Sequence, residues 1–107
     1  MADTYTFLRM KENDDVFSPY FVPASGTITL SSVLCYLYDA NRVVNAAVNG
    51  VAATAFDTGA LAQARAWLQI SPATLVLTAE TYYTLEFKAT DSGGLVREAI
   101  VLIHVTN

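Results

Sequence analysis

Few side chains in this 107-residue chain could carry catalysis, because it contains one histidine, His104, and one cysteine, Cys35. A nucleophile–histidine–carboxylate site needs a histidine base that a carboxylate orients. His104 lies inside the apolar run 100–105, so we interpret it as a residue on a strand face. Cys35 lies between Leu34 and Tyr36 with no basic residue nearby, which favours a buried, unreactive thiol. The sequence therefore predicts no catalytic site and no enzyme.

Carboxylates in turns are the remaining candidates for metal binding, because loops at one end of a β-sandwich can gather the oxygens that calcium needs. Their spacing matches no calcium-binding loop, and aspartate is a common turn residue. The positions concerned are Asp14, Asp15, Asp39, Asp57 and Asp91. Gly93 and Gly94 precede a strand-like segment rather than a helix, so they do not form a phosphate-binding loop. We expect neither a metal nor a cofactor.

The balance of charge and hydrophobicity excludes several classes of protein. Charged residues make up 15% of the chain and hydrophobic residues 53%, whereas an ordinary domain carries about 25% charged residues. A disordered chain needs the opposite composition, and a single cysteine excludes a disulfide scaffold. The net charge of −4 and the scattered basic residues argue against nucleic acid as a partner. We expect one small domain, 1–107.

The N-terminal residues 1–5 lack the basic and apolar segments of a signal peptide. The apolar runs are far shorter than the roughly 20 residues of a membrane helix. We therefore expect synthesis in the cytoplasm and no contact with a membrane. A virion protein that is released only by lysis would show the same features.

Short strands separated by turn residues are the main structural signal, and they are typical of an antiparallel β-sandwich or barrel. In the clearest strand, Tyr83 and Phe87 alternate with Glu86 and Lys88, so we place the two aromatic residues in the core. The turn at 91–94 leads into the apolar segment 95–105, which predicts a hairpin.

The earlier elements follow from the same kind of pattern. A strand is predicted at 5–11, and 27–38 is long enough to be one bent strand or two. Pro19 places the segment 16–22 at an edge or a bulge. The pair Asn49–Gly50, between 43–48 and 51–56, predicts a second hairpin. Segment 59–70 has both helix-forming composition and strand alternation, and the surrounding strands favour a strand.

The segment Leu77–Asp91 resembles the penultimate strand of bacterial immunoglobulin-like and fibronectin-III-like modules. In those modules a leucine, a tight corner and a Tyr-Thr-Leu alternation precede an Asp-Gly hairpin. The resemblance implies that Tyr83 is a corner tyrosine whose hydroxyl bonds to upstream backbone. This chain has Glu80 where glycine is common and a second tyrosine, Tyr82, so either tyrosine could form the corner.

Together with the strand pattern, this resemblance implies an all-β, immunoglobulin-like antiparallel β-sandwich of about seven strands. The small size and the compact composition are also similar to immunoglobulin-like proteins that are encoded among phage and prophage virion genes. That second similarity implies a structural role.

Two predicted strands are apolar on both faces, although a sandwich buries only one face of each sheet. In the last strand Ile100 and Leu102 oppose the series 99, 101, 103 and 105, and in 33–38 Tyr36 and Tyr38 oppose the odd-numbered residues. We predict that Tyr36, Tyr38, Ile100 and Leu102 form an interface with a second copy or a larger partner. The last strand would also need a cover if it formed the edge of its sheet.

The predicted function is that of a non-catalytic structural or assembly module, such as a tail- or capsid-associated component of a phage or prophage virion. The alternative is a carbohydrate-binding module that uses Trp67 and the tyrosines as stacking platforms. A flat face that carries Tyr36 and Tyr38 beside Ile100 and Leu102 would favour assembly. A concave groove that combines Trp67 with carboxylates and amides would favour a sugar.

Overall fold

The computed structural model describes residues 4–11, 16–17, 30–56, 66–70, 77–91, 93–94 and 96–106. The regular secondary structure of these residues consists of strands alone. The prediction of an all-β chain is therefore confirmed. The strands are β1 (Thr4–Lys11), β2 (Val16–Phe17), β3 (Leu30–Tyr38), β4 (Val44–Ala52), β5 (Ala55–Phe56), β6 (Ala66–Trp67), β7 (Gln69–Ile70), β8 (Thr81–Asp91) and β9 (Val96–Thr106).

Five long strands form the main sheet in the order β1-β9-β8-β3-β4. The hairpin predicted near the C-terminus is confirmed, because β8 and β9 pair antiparallel from Thr81 opposite Val105 to Thr90 opposite Val96. Gly94, in the connecting turn, has a φ of 82°, a conformation that glycine adopts without steric cost. Strand β3 continues the antiparallel pairing on the other side of β8.

The first strand runs parallel to the last one, with Thr4 opposite Ala99 and Lys11 opposite Thr106. The sheet is therefore mixed, and the expectation of purely antiparallel pairing is wrong for this pair. Strand β9 lies between β1 and β8, so the last strand does not form an edge of the sheet. A sequence pattern of period two is the same in parallel and antiparallel strands, so it cannot report the direction of the partner.

The second predicted hairpin is wrong, because β4 runs without a turn through Asn49 and Gly50. Asn49 lies opposite Tyr36 and Val51 lies opposite Cys35, so that Gly50 is an extra residue in the pairing. Its φ is 77°. A tight hairpin turn and a glycine bulge both need positive φ, so an Asn-Gly pair alone does not distinguish them.

The shorter strands form two further pairs, β2 with β7 and β5 with β6. Segment 59–70 was predicted as a strand, and its described part, 66–70, contains β6 and β7. Residues 59–65 lie outside the described residues, as do Pro19 and 27–29. The backbone N–H of Gln69 donates to Thr54 Oγ1 at 2.8 Å, which ties β7 to the segment before β5.

One face of the main sheet, the inner face, forms the core. Its buried residues alternate with more exposed ones along β1, β3, β8 and β9, and Phe87, Leu85 and Ile103 have no exposed surface. Buried residues at 66, 68, 70 and 77 complete the same cluster. Full burial of one large apolar side chain contributes about 1.5–3 kcal/mol. The inner face therefore supplies the stability, and the opposite face is left for other contacts.

Candidate functional site

The candidate site is the outer face of the main sheet, defined by the residues of β1, β9, β8 and β3 that alternate with the buried ones. Strand pairing arranges these residues in rows that cross the sheet, and the four central rows form the candidate site; Lys11 with Thr106, and Val96 with Thr90, lie beyond them on the same face. The Leu102 row contains Phe7, Leu102, Thr84 and Tyr38; the Ile100 row contains Tyr5, Ile100, Glu86 and Tyr36. The His104 row contains Arg9, His104 and Tyr82; the Glu98 row contains Glu98, Lys88 and Leu34.

The four residues predicted as an interface share this face and occupy its two central rows. Ile100 on β9 and Tyr36 on β3 both pair with Glu86, which lies between them on β8. Leu102 and Tyr38 flank β8 in the same way. Strand β8 therefore separates the two aliphatic residues from the two tyrosines. All four are half-buried rather than exposed.

The most exposed aromatic side chains of the outer face lie beside these four and were missed as site residues. Phe7 is 77% exposed, and Tyr5 and Tyr82 are each 62% exposed. The alternation of Tyr5, Phe7 and Arg9 with residues 6, 8 and 10 was visible in the sequence. Only the parallel pairing of β1 with β9 places the rings of Tyr5 and Phe7 next to Ile100 and Leu102.

An aromatic stack forms one end of the outer face. The rings of Tyr82 and His104 lie 4.3 Å apart between centroids, with 6° between their planes. Offset stacking of this kind orders both rings. Arg9 lies opposite His104 on the neighbouring strand. His104 is thus a residue on a strand face, as we interpreted it from the sequence.

Cations lie against the two tyrosines of β3. Lys88 Nζ is 5.3 Å from the centroid of the Tyr36 ring and 3.4 Å from Glu86 Oε1. The charge of Glu86 raises the pKa of Lys88, so the ammonium group stays charged. The guanidinium carbon of Arg42 is 4.6 Å from the centre of the Tyr38 ring. Both distances are within the range of cation–π attraction.

Local backbone features hold these tyrosines and their cations in place. A Cβ atom on Gly50 would lie 3.4 Å from Tyr36 Cε2, so the bulge leaves room for the ring and little more. The Asp39 carboxylate accepts hydrogen bonds from the backbone N–H groups of Asn41, at 2.8 Å, and Val43, at 2.9 Å. This turn carries Arg42 with a φ of 65°. Asp39 is therefore used to shape the turn.

The two residues assigned to the corner and the core lie on the inner face. The hydroxyl of Tyr83 accepts a hydrogen bond of 2.9 Å from the backbone N–H of Thr78, five residues upstream. Tyr82, the neighbouring tyrosine, points to the outer face. Phe87 has no exposed surface. The upstream bond that characterises a corner tyrosine is thus made by Tyr83.

The cysteine and the carboxylates were the other candidates for chemistry in the sequence. Cys35 is completely buried, and burial raises the pKa of its thiol to about 12. Among the described residues, no group of three histidine, cysteine or acidic side chains could hold a metal ion. Asp14, Asp15 and Asp57 lie outside the described residues, and Asp91 is the last residue of β8.

Trp67 is the aromatic residue on which the alternative prediction depends. It lies in β6, outside the main sheet, and is half-buried opposite Ala55. The structure therefore does not bring Trp67 onto the outer face with the exposed tyrosines. Within the described ranges, no helix has the length and apolarity needed to cross a membrane.

Comparisons of the chain with models of protein families, with curated proteins and with solved structures gave no match. The outer face must therefore be interpreted from its own geometry and chemistry.

Proposed function

We propose that this protein is a non-catalytic assembly module that associates with a second copy of itself through the outer face. The observation that carries the proposal is the position of Tyr5, Phe7 and Tyr82, three exposed rings around the half-buried Ile100 and Leu102. Soluble monomers rarely expose contiguous apolar surface on this scale without a binding role.

The size of the outer face allows a small specific contact between two copies. Four strands about 4.8 Å apart and four rows about 7 Å apart span about 19 Å by 27 Å. Two such faces would bury about 1,000 Å² in total, which is about the smallest area of a specific protein interface. Exposed aromatic side chains are enriched in the cores of such interfaces.

The charge of the outer face supports a second copy as the occupant. The chain carries a net charge of −4, and two surfaces with the same net charge would repel one another. In the four rows, the positive charges of Arg9 and Lys88 balance the negative charges of Glu86 and Glu98. These four rows are therefore neutral within an acidic protein, and Lys11 beyond them on β1 is positive, so two copies can approach through this face.

We further propose an immunoglobulin-like β-sandwich fold and a role among virion structural proteins. The resemblance of 77–91 to immunoglobulin-like modules supports this fold, as does the bond from Thr78 to the Tyr83 hydroxyl. The virion role is supported by the combination of small size and a self-complementary surface, since virions are built from repeated copies. Synthesis in the cytoplasm is part of this proposal.

Sedimentation velocity of wild-type protein from low to high micromolar concentration tests the association. We expect a species larger than the monomer that increases with concentration, and we expect Phe7→Glu to shift it to monomer. Because Phe7 is 77% exposed, this change removes no core packing. The matched control is Val43→Glu, which alters a residue that is 60% exposed and lies outside the four rows. A wild-type protein that stays monomeric at high micromolar concentration would overturn the proposal.

Carbohydrate binding is the second candidate, because the exposed rings of Tyr5 and Tyr82 could stack on the apolar faces of a sugar. The location of Trp67 outside the main sheet removes the largest ring from that surface. Titration of the monomeric Phe7→Glu variant and of the wild-type protein with mixed oligosaccharides, followed by tyrosine fluorescence, separates the two functions. A saturable change in fluorescence without self-association would favour the sugar.

A further inference from the structure

The outer face has a near-symmetry about a line that crosses the strands between the Ile100 row and the Leu102 row. Outward-facing residues on one strand are two positions apart, so every residue of the four rows except Arg9 and Leu34 has a counterpart in these rows on the same strand, at the same distance beyond the line. Rotation by 180° about this line exchanges the two central rows with each other. It also exchanges the His104 row with the Glu98 row. A second copy turned by 180° about this line would place each row over its counterpart.

The apolar residues of the outer face match their counterparts in kind. Rings would lie over rings and aliphatic side chains over aliphatic side chains, which is the complementarity that closely packed interfaces need. The interchanged apolar pairs are Tyr5 with Phe7, Ile100 with Leu102, and Tyr36 with Tyr38. All three pairs lie in the central rows.

The polar residues match their counterparts in chemistry. A carboxylate would lie opposite a hydroxyl or an imidazole N–H, which can donate to it, and an ammonium group would lie opposite a ring. The interchanged polar pairs are Glu86 with Thr84, Glu98 with His104, and Lys88 with Tyr82. No carboxylate in these pairs meets another carboxylate.

The other simple way to stack two aligned sheets uses a two-fold axis along β8, and the charges disfavour it. Each row would then lie over the same row of the second copy. Glu86 would face the second copy's Glu86, and Lys88 would face the second copy's Lys88. Like charges placed opposite one another in an interface cost several kcal/mol and act against that arrangement.

We propose that two copies associate face to face about a two-fold axis that crosses the strands between the Ile100 and Leu102 rows, so that Glu98 of each copy bonds His104 of the other. This inference rests on the proposed function and specifies its partner geometry. The strands of the two copies run antiparallel across the interface, and the contact is isologous, as expected for a closed dimer. Glu98 and His104 occupy its two ends.

A mixing experiment with charge variants tests this geometry. Glu98→Lys loses the carboxylate that meets the second copy's imidazole, and His104→Glu places carboxylates opposite one another, so we expect each variant alone to dimerise about tenfold less tightly or worse. In a mixture, the introduced lysine meets the introduced glutamate, and the native pair remains at the other end. Native mass spectrometry should therefore show a heterodimer that is within about threefold of the wild-type affinity.

The matched control is Glu80→Lys, a charge reversal at an exposed residue outside the four rows. Mixed with His104→Glu, it should give a heterodimer that is weaker than the wild-type dimer, because one end keeps the native pair and the other still places two carboxylates opposite one another. Far-UV circular dichroism of each variant shows whether the sheet is retained, and formation of the heterodimer itself requires that both chains fold.

The outcomes separate this inference from the proposed function. A wild-type dimer whose charge variants recover on mixing supports the two-fold axis across the strands. A wild-type dimer whose mixed variants recover no better than either variant alone overturns that axis, and self-association through the outer face then stands without it. A monomeric wild-type protein overturns both.

Discussion

Cys35 lies on the inner face of β3 between the buried residues Val33 and Leu37, with none of its surface exposed. Its side chain stays uncharged at neutral pH, because burial raises the pKa of the thiol to about 12 from an ordinary value of 9.0. An ionised sulfur in this position would be desolvated without a partner charge.

The raised pKa of Cys35 predicts a stability change at alkaline pH. Below pH 9 the thiol is protonated in both folded and unfolded chains, so it adds no pH dependence. Between pH 9 and about 12 the unfolded chain releases the proton and the folded chain keeps it. The free energy of unfolding therefore falls as the pH rises, by about 1.4 kcal/mol for each unit above 9.

Urea unfolding of wild type and Cys35→Ala at pH 8 and pH 10 measures this effect. Tyrosine and lysine titrations affect both proteins, so the difference between their pH dependences isolates the thiol. We expect wild type to lose about 1.4 kcal/mol more than the variant between the two pH values. Identical losses would show that the thiol ionises in the folded chain as readily as in the unfolded chain.

At the level of elements, Gly50 determines how β4 fits against β3. It holds a φ of 77°, and the Tyr36 ring lies at the contact distance of an added Cβ atom. Gly94 has nearly the same φ, of 82°, and would meet nothing within 4 Å. Substitutions at these two glycines therefore distinguish the cost of backbone strain from the cost of contact with a neighbouring side chain.

We predict that Gly50→Ala and Gly94→Ala each reduce stability by about 1–2 kcal/mol, because both force an L-residue into positive φ. Valine at the two positions should behave differently. Gly50→Val should cost more than Gly94→Val, since its methyl groups would push against the Tyr36 ring. Chemical denaturation of the four variants measures the costs, and equal costs for the two valine variants would mean that the ring yields without resistance.

For the molecule as a whole, the sheet is stabilised by its inner face and no cross-link is evident in the described part of the chain. Cys35 is a free thiol there, and the described residues contain no metal-binding group. The buried cluster draws on β1, β3, β4, β8 and β9 of the main sheet, as well as on residues 66–70 and 77. A domain of about 100 residues can be stable on such a core alone.

We therefore predict that the midpoint of thermal unfolding is unchanged by a metal chelator and by a reducing agent. Calorimetry in the presence and absence of each reagent measures it. A reproducible decrease of several degrees with chelator would point to a bound metal ion, and the same decrease with reductant would point to a disulfide between chains. Dilution of the protein is the positive control, because loss of the proposed dimer should lower the midpoint.

Part of this structure followed from the sequence because its information is local. The alternation of Tyr83 and Phe87 with Glu86 and Lys88 specifies which side chains share a face, and a short turn specifies that β8 and β9 pair. The same reasoning placed Ile100 and Leu102 opposite the core series of β9 before any partner strand was known. Faces and adjacent hairpins are properties of a few consecutive residues.

The sequence by itself determined the all-β character, the C-terminal hairpin and the alternation of faces along β1, β3, β8 and β9. Only the tertiary structure decided that β1 joins β9 in parallel, that Gly50 makes a bulge, and that Tyr5 and Phe7 extend the apolar outer face. The physical reason is that pairing between the two ends of the chain depends on the entropy of closing the whole chain and on packing against the core, neither of which leaves a local pattern. The candidate site spans four strands, so its composition could be established only once their order was known.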